Sequence, residues 1–559
     1  MEYREKMQAW LNDPCIDEAS KAEIRAIDDE QELEDRFYKE LEFGTAGLRG
    51  ILGAGTNRMN RYVIARASQG LADTILAEGP AAAKKGIVIA HDVRHGSELF
   101  TKIAAEVFAA NGIKTYVFKD ICPTPMLSYG VRYLGTQSGI VITASHNPKN
   151  YNGYKVYWDK GSQILSDVAD RIQEAIAALA FKDVKSLDFE KGLDAGIIEY
   201  CPEALDQAYY HATLIRALRE DVDKSIKVVY TPLNGTGNKP VRHVLAERGF
   251  ESIHVVAEQE NPDPDFTTVG YPNPEDVKAF KYAEALGDEL GAELLLATDP
   301  DCDRVSMEVR HDGKYVSFTG NQIGSLLAHY ILSSLYEKKG LFEGGAIVKS
   351  IVTGDLPKRI AKSYGVATFE TLTGFKNICA LANRWDETKE YTFLYGFEES
   401  IGYVYGDHVR DKDGVIAAML IVEMAAYYKK QGKTLVDVLN ELFIQYGYHK
   451  EFLKSLVLEG MDGAERIARM MAHFRAADYQ AFGELGVTEC VDFNEENPVG
   501  RSNVLKYYLD DGSWFAVRPS GTEPKIKLYI YVVDRDEAVA AKKVKALEDA
   551  VVAELESVK

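Results

Sequence analysis

The 559-residue chain is short of cysteine, of long apolar runs and of positive charge, and each shortage removes a class of protein. Its six cysteines (Cys15, Cys122, Cys201, Cys302, Cys379 and Cys490) are scattered without a C-x-x-C pair. That excludes a zinc ribbon or a disulfide framework and predicts reduced, mostly buried thiols. The longest uncharged apolar stretch, VIAAMLIV at 415–422, is far below the roughly 18 residues of a membrane span. The opening MEYREKMQAW carries charges and no apolar stretch before a cleavage site, so no secretory signal is read and a soluble, cytoplasmic protein without membrane partners is expected. With 65 basic against 86 acidic residues the formal charge is -21, which argues against nucleic acid as the main partner. An anionic small ligand would have to be met by cations gathered locally.

What is present is alternation. Short β-branched runs such as GIVIA (86–90), KTYVF (114–118) and GIVITA (139–144) are separated by amphipathic stretches such as ELFTKIAAEVFAANG. This is the pattern of α/β layering. It recurs around KVVYTPL (227–233) and ELLLAT (293–298), and again around AIVKSIV (346–352) and YTFLYGF (391–397). The tail differs: WFAVRPSG and KIKLYIYVV read as antiparallel strands, followed by a long amphipathic helix. The expected architecture is three consecutive α/β domains plus a C-terminal α+β domain, at 1–205, 206–322, 323–450 and 451–559.

Four loops follow apolar strands, at the strand ends where α/β proteins bind ligands. In TASHNPKNYNGYK, Ser145 stands just past a strand, followed by His146 and Asn147. Alone, this fits a strand-end turn as well as a nucleophile, because a serine needs activation by a base or a metal. In ATDPDCDR, Asp299, Asp301 and Asp303 alternate, so that in an extended loop all three carboxylates point one way, toward a hard cation such as Mg²⁺. An EF-hand is excluded because Arg304 and Arg310 stand where its glycine and glutamate would be. Arg304 can serve as a phosphate ligand. GFEES offers Glu398 and Ser400, which suit vicinal sugar hydroxyls but equally suit a surface turn. RPSGTEPKIK gathers Arg518, Ser520, Gly521, Thr522 and Lys527 into a phosphate cradle that lacks the Walker spacing. Lys155, Lys376 and Arg304 add local cations.

These four loops, in this order, resemble those of the α-D-phosphohexomutase superfamily. TASHNP, DPDCDR, GFEES and RPSGTEP look like its phosphoserine, metal, sugar and phosphate loops, and FGTAGLRG (43–50), PLNGTG (232–237) and TLTGFKNI (371–378) also match. GFEES and the DPDCDR form of the metal loop are most similar to the branch of phosphoglucomutases that also holds phosphopentomutases. The more common metal loop has glycine where this chain has Pro300, and glycine or alanine at Cys302. The resemblance implies four domains around a central active-site cleft and sugar phosphates as substrates. It also implies a phosphoryl group on Ser145, with Mg²⁺ held by Ser145, Asp299, Asp301 and Asp303. Glucose 1-phosphate and glucose 6-phosphate would interconvert through glucose 1,6-bisphosphate; the alternatives are pentose or mannose phosphates handled by the same mechanism. Arg518, Ser520, Gly521, Thr522 and Lys527 would hold the non-reacting phosphate, with Arg49 as a further binding residue. The base is left open between Lys376 and His146, with Lys155 third. Asp92 and Arg94 are expected to form an ion pair behind the serine loop.

Overall fold

The computed structural model describes residues 2–44, 47–340, 344–458, 460–520 and 525–559. Strands β1 (Gly47–Ile51), β2 (Ile87–His91), β3 (Thr115–Val117), β4 (Ser138–Ile142), β5 (Tyr151–Trp158) and β6 (Ile198–Tyr200) form one sheet in the order β1-β5-β4-β2-β3-β6. The β2 strand runs parallel to β3 and β4, whereas β5 returns antiparallel beside β4. Every residue of β2 and β4 is buried. Their mostly apolar sequences follow from helices on both faces. Ile87, Ile89, Ile140 and Ile142 pack with Leu71, Phe108 and Ile172 of three helices, and the helix Thr124–Leu134 packs against β2 and β4 as well.

The second sheet repeats the plan with β7 (Val228–Thr231), β8 (Ile253–Val255), β9 (Leu294–Thr298), β10 (Val305–His311) and β11 (Lys314–Ser317), ordered β11-β10-β9-β7-β8. The third α/β segment supplies β12 (Gly345–Ser350) parallel to β13 (Ala367–Thr371), then β14 (Thr392–Glu398) antiparallel to β15 (Gly402–Tyr405). The tail is a six-stranded antiparallel sheet of β16 (Tyr448–Val457), β17 (Ala481–Phe482), β18 (Leu485–Asp492), β19 (Leu505–Leu509), β20 (Trp514–Pro519) and β21 (Lys525–Asp534), ordered β16-β21-β20-β19-β18-β17. The helices Gly460–Ala476 and Glu537–Ser557 cover it through Met470, Phe474, Leu547 and Val551. The expected α/β, α/β, α/β, α+β series is the observed fold.

By contact the chain divides into two compact units, Met1–Ile323 with Phe375–Gly432, and Gly324–Gly374 with Lys433–Lys559. A buried polar cluster explains why the β12–β13 segment belongs with the tail. Lys349 sits 3.1 Å from Asp355, whose other oxygen accepts from Trp514 Nε1 at 2.8 Å. Lys506 lies 4.1 Å over the Trp514 ring and donates to the Ile351 carbonyl at 2.7 Å. Buried charges persist only when paired in this way.

One element was not legible in the sequence. Residues before β1 form three helices, Glu2–Asn12, Glu18–Arg25 and Glu30–Phe37, whose Trp10, Ile24 and Phe37 make a small core of their own. Asp17 and Asp29 cap the second and third helices by accepting from Ser20 and Gln31 backbone amides.

Candidate active site

The β4 strand stops at Ile142 and the chain turns sharply, because Ser145 adopts φ 52°, the left-handed region that non-glycine residues avoid. Such a conformation costs on the order of 1–3 kcal/mol and persists only where its surroundings fix it. Here they do. Arg94 donates to the carbonyls of Ser145 (2.6 Å), Pro148 (2.8 Å) and Tyr151 (3.1 Å), and also to that of Asn147. The Ser145 amide donates to Thr143 Oγ1 at 2.8 Å, and the Thr143 hydroxyl donates in turn to Asp92 Oδ2 at 2.7 Å. Asp92 completes the brace with Arg94 Nε at 3.2 Å, the ion pair expected from the sequence.

The aspartate loop leaves β9 at Thr298. Asp299, Asp301 and Asp303 are 0–1% exposed, and one oxygen from each lies within 4.8 Å of the others. The convergence is real but its cause differs from simple alternation along an extended loop. The Cys302 amide donates to the Asp299 carbonyl at 2.8 Å and Cys302 has φ 51°, so the segment is a tight turn. Ser145 Oγ donates to Asp299 Oδ2 at 2.7 Å, and the Arg304 amide donates to Oδ1 at 3.0 Å. Asp301 Oδ2 accepts from Thr124 Oγ1 (2.8 Å) and Lys155 Nζ (2.7 Å), while Asp303 Oδ2 lies 3.1 Å from Lys155 Nζ and 3.2 Å from Lys412 Nζ. The remaining oxygens, Oδ1 of Asp301 and of Asp303, are buried without a hydrogen-bond partner. Two orphaned carboxylate oxygens beside a serine hydroxyl are the donor set of a hard divalent cation.

The electrostatics agree. Burial, and then the charges of Asp301 and Asp303, push the Asp299 carboxyl well above the usual range. Burial acts the same way on Asp303, but Lys155, Lys412 and Arg304 outweigh it and hold that carboxyl low. His146 Nδ1 lies 3.3 Å from Ser145 Oγ, and burial followed by the charges of Arg304 and Arg49 keeps its ring neutral.

Glu398 ends β14, buried at 8% exposure. The GFEES loop is tied to the aspartate loop: the Val305 amide donates to the Ile401 carbonyl at 3.3 Å, and Arg304 bridges to Gly402. Lys376, in the first turn of the helix Phe375–Thr388, is half-buried, and burial pushes its ammonium down to about 8. Arg49 lies on β1 opposite Gly153 of β5. Lys155, read as a substrate ligand or third base, has its amine on the carboxylates.

In the second unit, β20 and β21 form the hairpin of RPSGTEPKIK. Arg518 stands directly opposite Lys527, and the Ser520 amide donates to the Lys525 carbonyl at 2.7 Å. Arg518 and Lys527 thus form a cross-strand pair of cations. Gly521 and Thr522 lie outside the described residues. Sequence reasoning missed Lys412 and Thr124. Only their contacts with Asp303 and Asp301, more than a hundred residues away in the chain, reveal them; the run Asp411-Lys412-Asp413 was the available hint.

The chain is similar to known proteins along nearly its whole length. Models of the phosphoglucomutase/phosphomannomutase family match the chain as α/β/α domain I over residues 40–183, domain II over 207–313, domain III over 319–446 and the C-terminal domain over 461–553. A phosphoglucomutase of Staphylococcus haemolyticus is 37% identical over 524 residues, 91% of this chain and 93% of the relative. Among solved structures, the phosphoglucomutase parafusin of Paramecium superposes with a TM-score of 0.68 at 19% identity, covering 93% of this chain and 96% of that one. The N-acetylphosphoglucosamine mutase of Aspergillus fumigatus, solved with GlcNAc-6P and magnesium, gives 0.51 at 14% identity, covering 98% and 99%. At these identities the two structures speak for the fold alone.

Proposed function

The chain belongs to the phosphoglucomutase/phosphomannomutase family, and we propose that it interconverts glucose 1-phosphate and glucose 6-phosphate by way of a phosphorylated Ser145. The relatives named phosphoglucomutase favour glucose phosphates over the pentose or mannose alternative. The observation that carries the mechanism is Ser145 Oγ, 2.7 Å from Asp299 Oδ2 and held in a strained turn beside three buried carboxylates.

Asp299, Asp301, Asp303 and Ser145 would hold Mg²⁺, which supplies charge neutralisation for the transferring phosphoryl oxygens. The chain's own groups do the rest. Arg94 and Thr143 keep Ser145 aimed, while Arg304 offers donors to phosphate oxygens. Lys376 takes the proton from the attacking sugar hydroxyl; burial has brought it to about 8, near working pH, so that a useful fraction is neutral. Glu398 and Ser400 bind sugar hydroxyls, with Arg49 as a further ligand. Arg518, Ser520, Gly521, Thr522 and Lys527 grip the phosphate that is not being transferred.

The hydroxyl oxygen of the sugar monophosphate forms a bond to phosphorus as the bond from phosphorus to Ser145 Oγ breaks; the hydroxyl proton passes to Lys376 and the departing serine oxygen takes one from solvent, giving a bisphosphosugar and free serine. Glucose 1,6-bisphosphate reoriented in the site then returns its other phosphoryl group to Ser145 and leaves as the isomer. Domain boundaries near 205, 322 and 450, and a cytoplasmic site of action in keeping with six free thiols, are parts of the same proposal.

Replacing Ser145 with alanine removes the phosphoryl carrier. Turnover of glucose 1-phosphate, assayed with Mg²⁺ and a trace of glucose 1,6-bisphosphate, should fall by more than about a thousandfold. Intact mass should lose one phosphate beyond the change of side chain. Near-normal turnover in this variant would refute the assignment.

A further inference from the structure

Resting on the reading of the aspartate loop as a divalent-metal site, we infer that Lys412 is a positioning residue for that metal: it pins one oxygen of Asp303 so that the other faces the ion, and it carries the sugar loop's position to the metal through Gly402.

The carboxylate of an aspartate turns readily about its last bond, since that torsion is broad. Asp303 has no such freedom here. Its Oδ2 is held between two ammonium groups, Lys155 at 3.1 Å and Lys412 at 3.2 Å. Its Oδ1 has no hydrogen bond, only Arg304 Nε at 3.7 Å. Pinning one oxygen from outside directs the other inward, the usual role of groups that back a metal ligand.

Lys412 is itself fixed. It is 7% exposed, its amine is 3.0 Å from Asp411 Oδ1, and it lies 5.2 Å above the Phe375 ring. Its stem runs over Gly402, where an added Cβ would come within 2.3 Å of Lys412 Cδ. Gly402 stands two residues past the GFEES loop and bridges to Arg304 of the aspartate loop. The end of the Lys412 segment docks there too, since the Gly414 amide donates to the Cys302 carbonyl at 3.1 Å and a Cβ on Gly414 would come within 2.6 Å of that oxygen. One lysine therefore touches both the strand that leaves the sugar loop and the third metal carboxylate. A shift of the sugar loop at Gly402 moves the stem, and the stem moves the amine that orients Asp303.

The test is calorimetric titration of Mg²⁺ into dephosphorylated full-length enzyme, with the metal-induced rise in Tm as a second readout and circular dichroism as the check on folding. Lys412→Met should weaken Mg²⁺ binding by about ten- to a hundredfold. Gly402→Ala, which keeps the charge but displaces the stem, should weaken it in the same direction by less. A folded Lys412→Met with wild-type affinity overturns the inference, even if its metal-free Tm has dropped, because Lys412 would then be only a brace. Should Lys412→Met fail to fold, Gly402→Ala decides: weaker binding supports the coupling, and unchanged binding refutes it. Wild-type enzyme that binds no Mg²⁺ would instead sink the metal reading underneath.

Discussion

The serine and aspartate loops of the first unit and the Arg518 hairpin of the second are built on opposite principles. Ser145 and the three aspartates are 0–1% exposed, and Ser145 and Cys302 both sit in left-handed backbone. Hydrogen bonds with Arg94, Thr143, Thr124 and Lys155 and an ion pair with Lys412 hold the polar groups around them. Arg518 and Lys527, by contrast, are half-buried on regular antiparallel strands and face each other as like charges. The first arrangement holds its polar groups in strained, buried turns, and the second sets two cations side by side on regular strands, which the proposed function reads as reacting centre and phosphate cradle. Chemistry and recognition should therefore fail differently when each is damaged.

With Ser145 itself kept in place, the largest effect is expected where the buried loop loses its brace. Arg94 spends its guanidinium on four backbone carbonyls, a fork that a lysine cannot reproduce. Arg94→Lys should leave Ser145 free to relax from its left-handed turn, and kcat should fall by about a hundredfold with KM little changed. Steady-state kinetics on protein of unaltered circular dichroism would test this. A rise in KM at constant kcat would place Arg94 in binding and erase the contrast.

The hairpin should fail the other way. In its proposed role, Arg518→Ala should remove one charge-assisted phosphate contact, worth about 1.5–3 kcal/mol, or roughly ten- to a hundredfold in kcat/KM. Because Ser145 and the aspartate loop are untouched, radiolabelled phosphoenzyme should still form and still lose its label slowly to water. Only transfer to glucose 1-phosphate should drop. Equal decline of both fluxes would mean that Arg518 supports the reacting centre and that recognition is not segregated.

That division was partly legible in the sequence. Ser145, the three aspartates and Arg518 stand in short contiguous strings at strand ends, so their residue types and spacing reported them directly. Lys412 and Thr124 did not, because a lysine beside two aspartates and a threonine between prolines have ordinary local explanations. Their roles arise from contacts closed only by folding. The geometry of the aspartate loop was half right: the carboxylates do converge, through a turn with Cys302 left-handed rather than by alternation in an extended chain. Buried strands such as β2 and β4 were readable as apolar runs. The three N-terminal helices were not anticipated, since each is short and charged, and only Trp10, Ile24 and Phe37 packing together make them cohere.

Lys376 falls between the two regimes, half-buried at a helix start, and gives the smallest predicted effect. Burial alone lowers its ammonium from the ordinary lysine range to about 8. A lysine acts as a base only when neutral, and neutrality increases as pH rises through that value. At pH 7 about one lysine in eleven would be neutral, and at pH 9 about ten in eleven, so kcat/KM should rise about tenfold over that interval and then level. The substrate phosphate loses its second proton near pH 6, so above pH 7 its charge no longer changes and the profile isolates the enzyme. Lys376→Met should be slower throughout and should lose the slope. A profile that stays flat from pH 7 to 9 in the wild type, or a slope that survives in Lys376→Met, would assign the proton to another group. Binding of glucose 1-phosphate, measured by calorimetry at both pH values, should change far less than turnover, since Lys376 is assigned to the proton and the phosphate to the Arg518 hairpin.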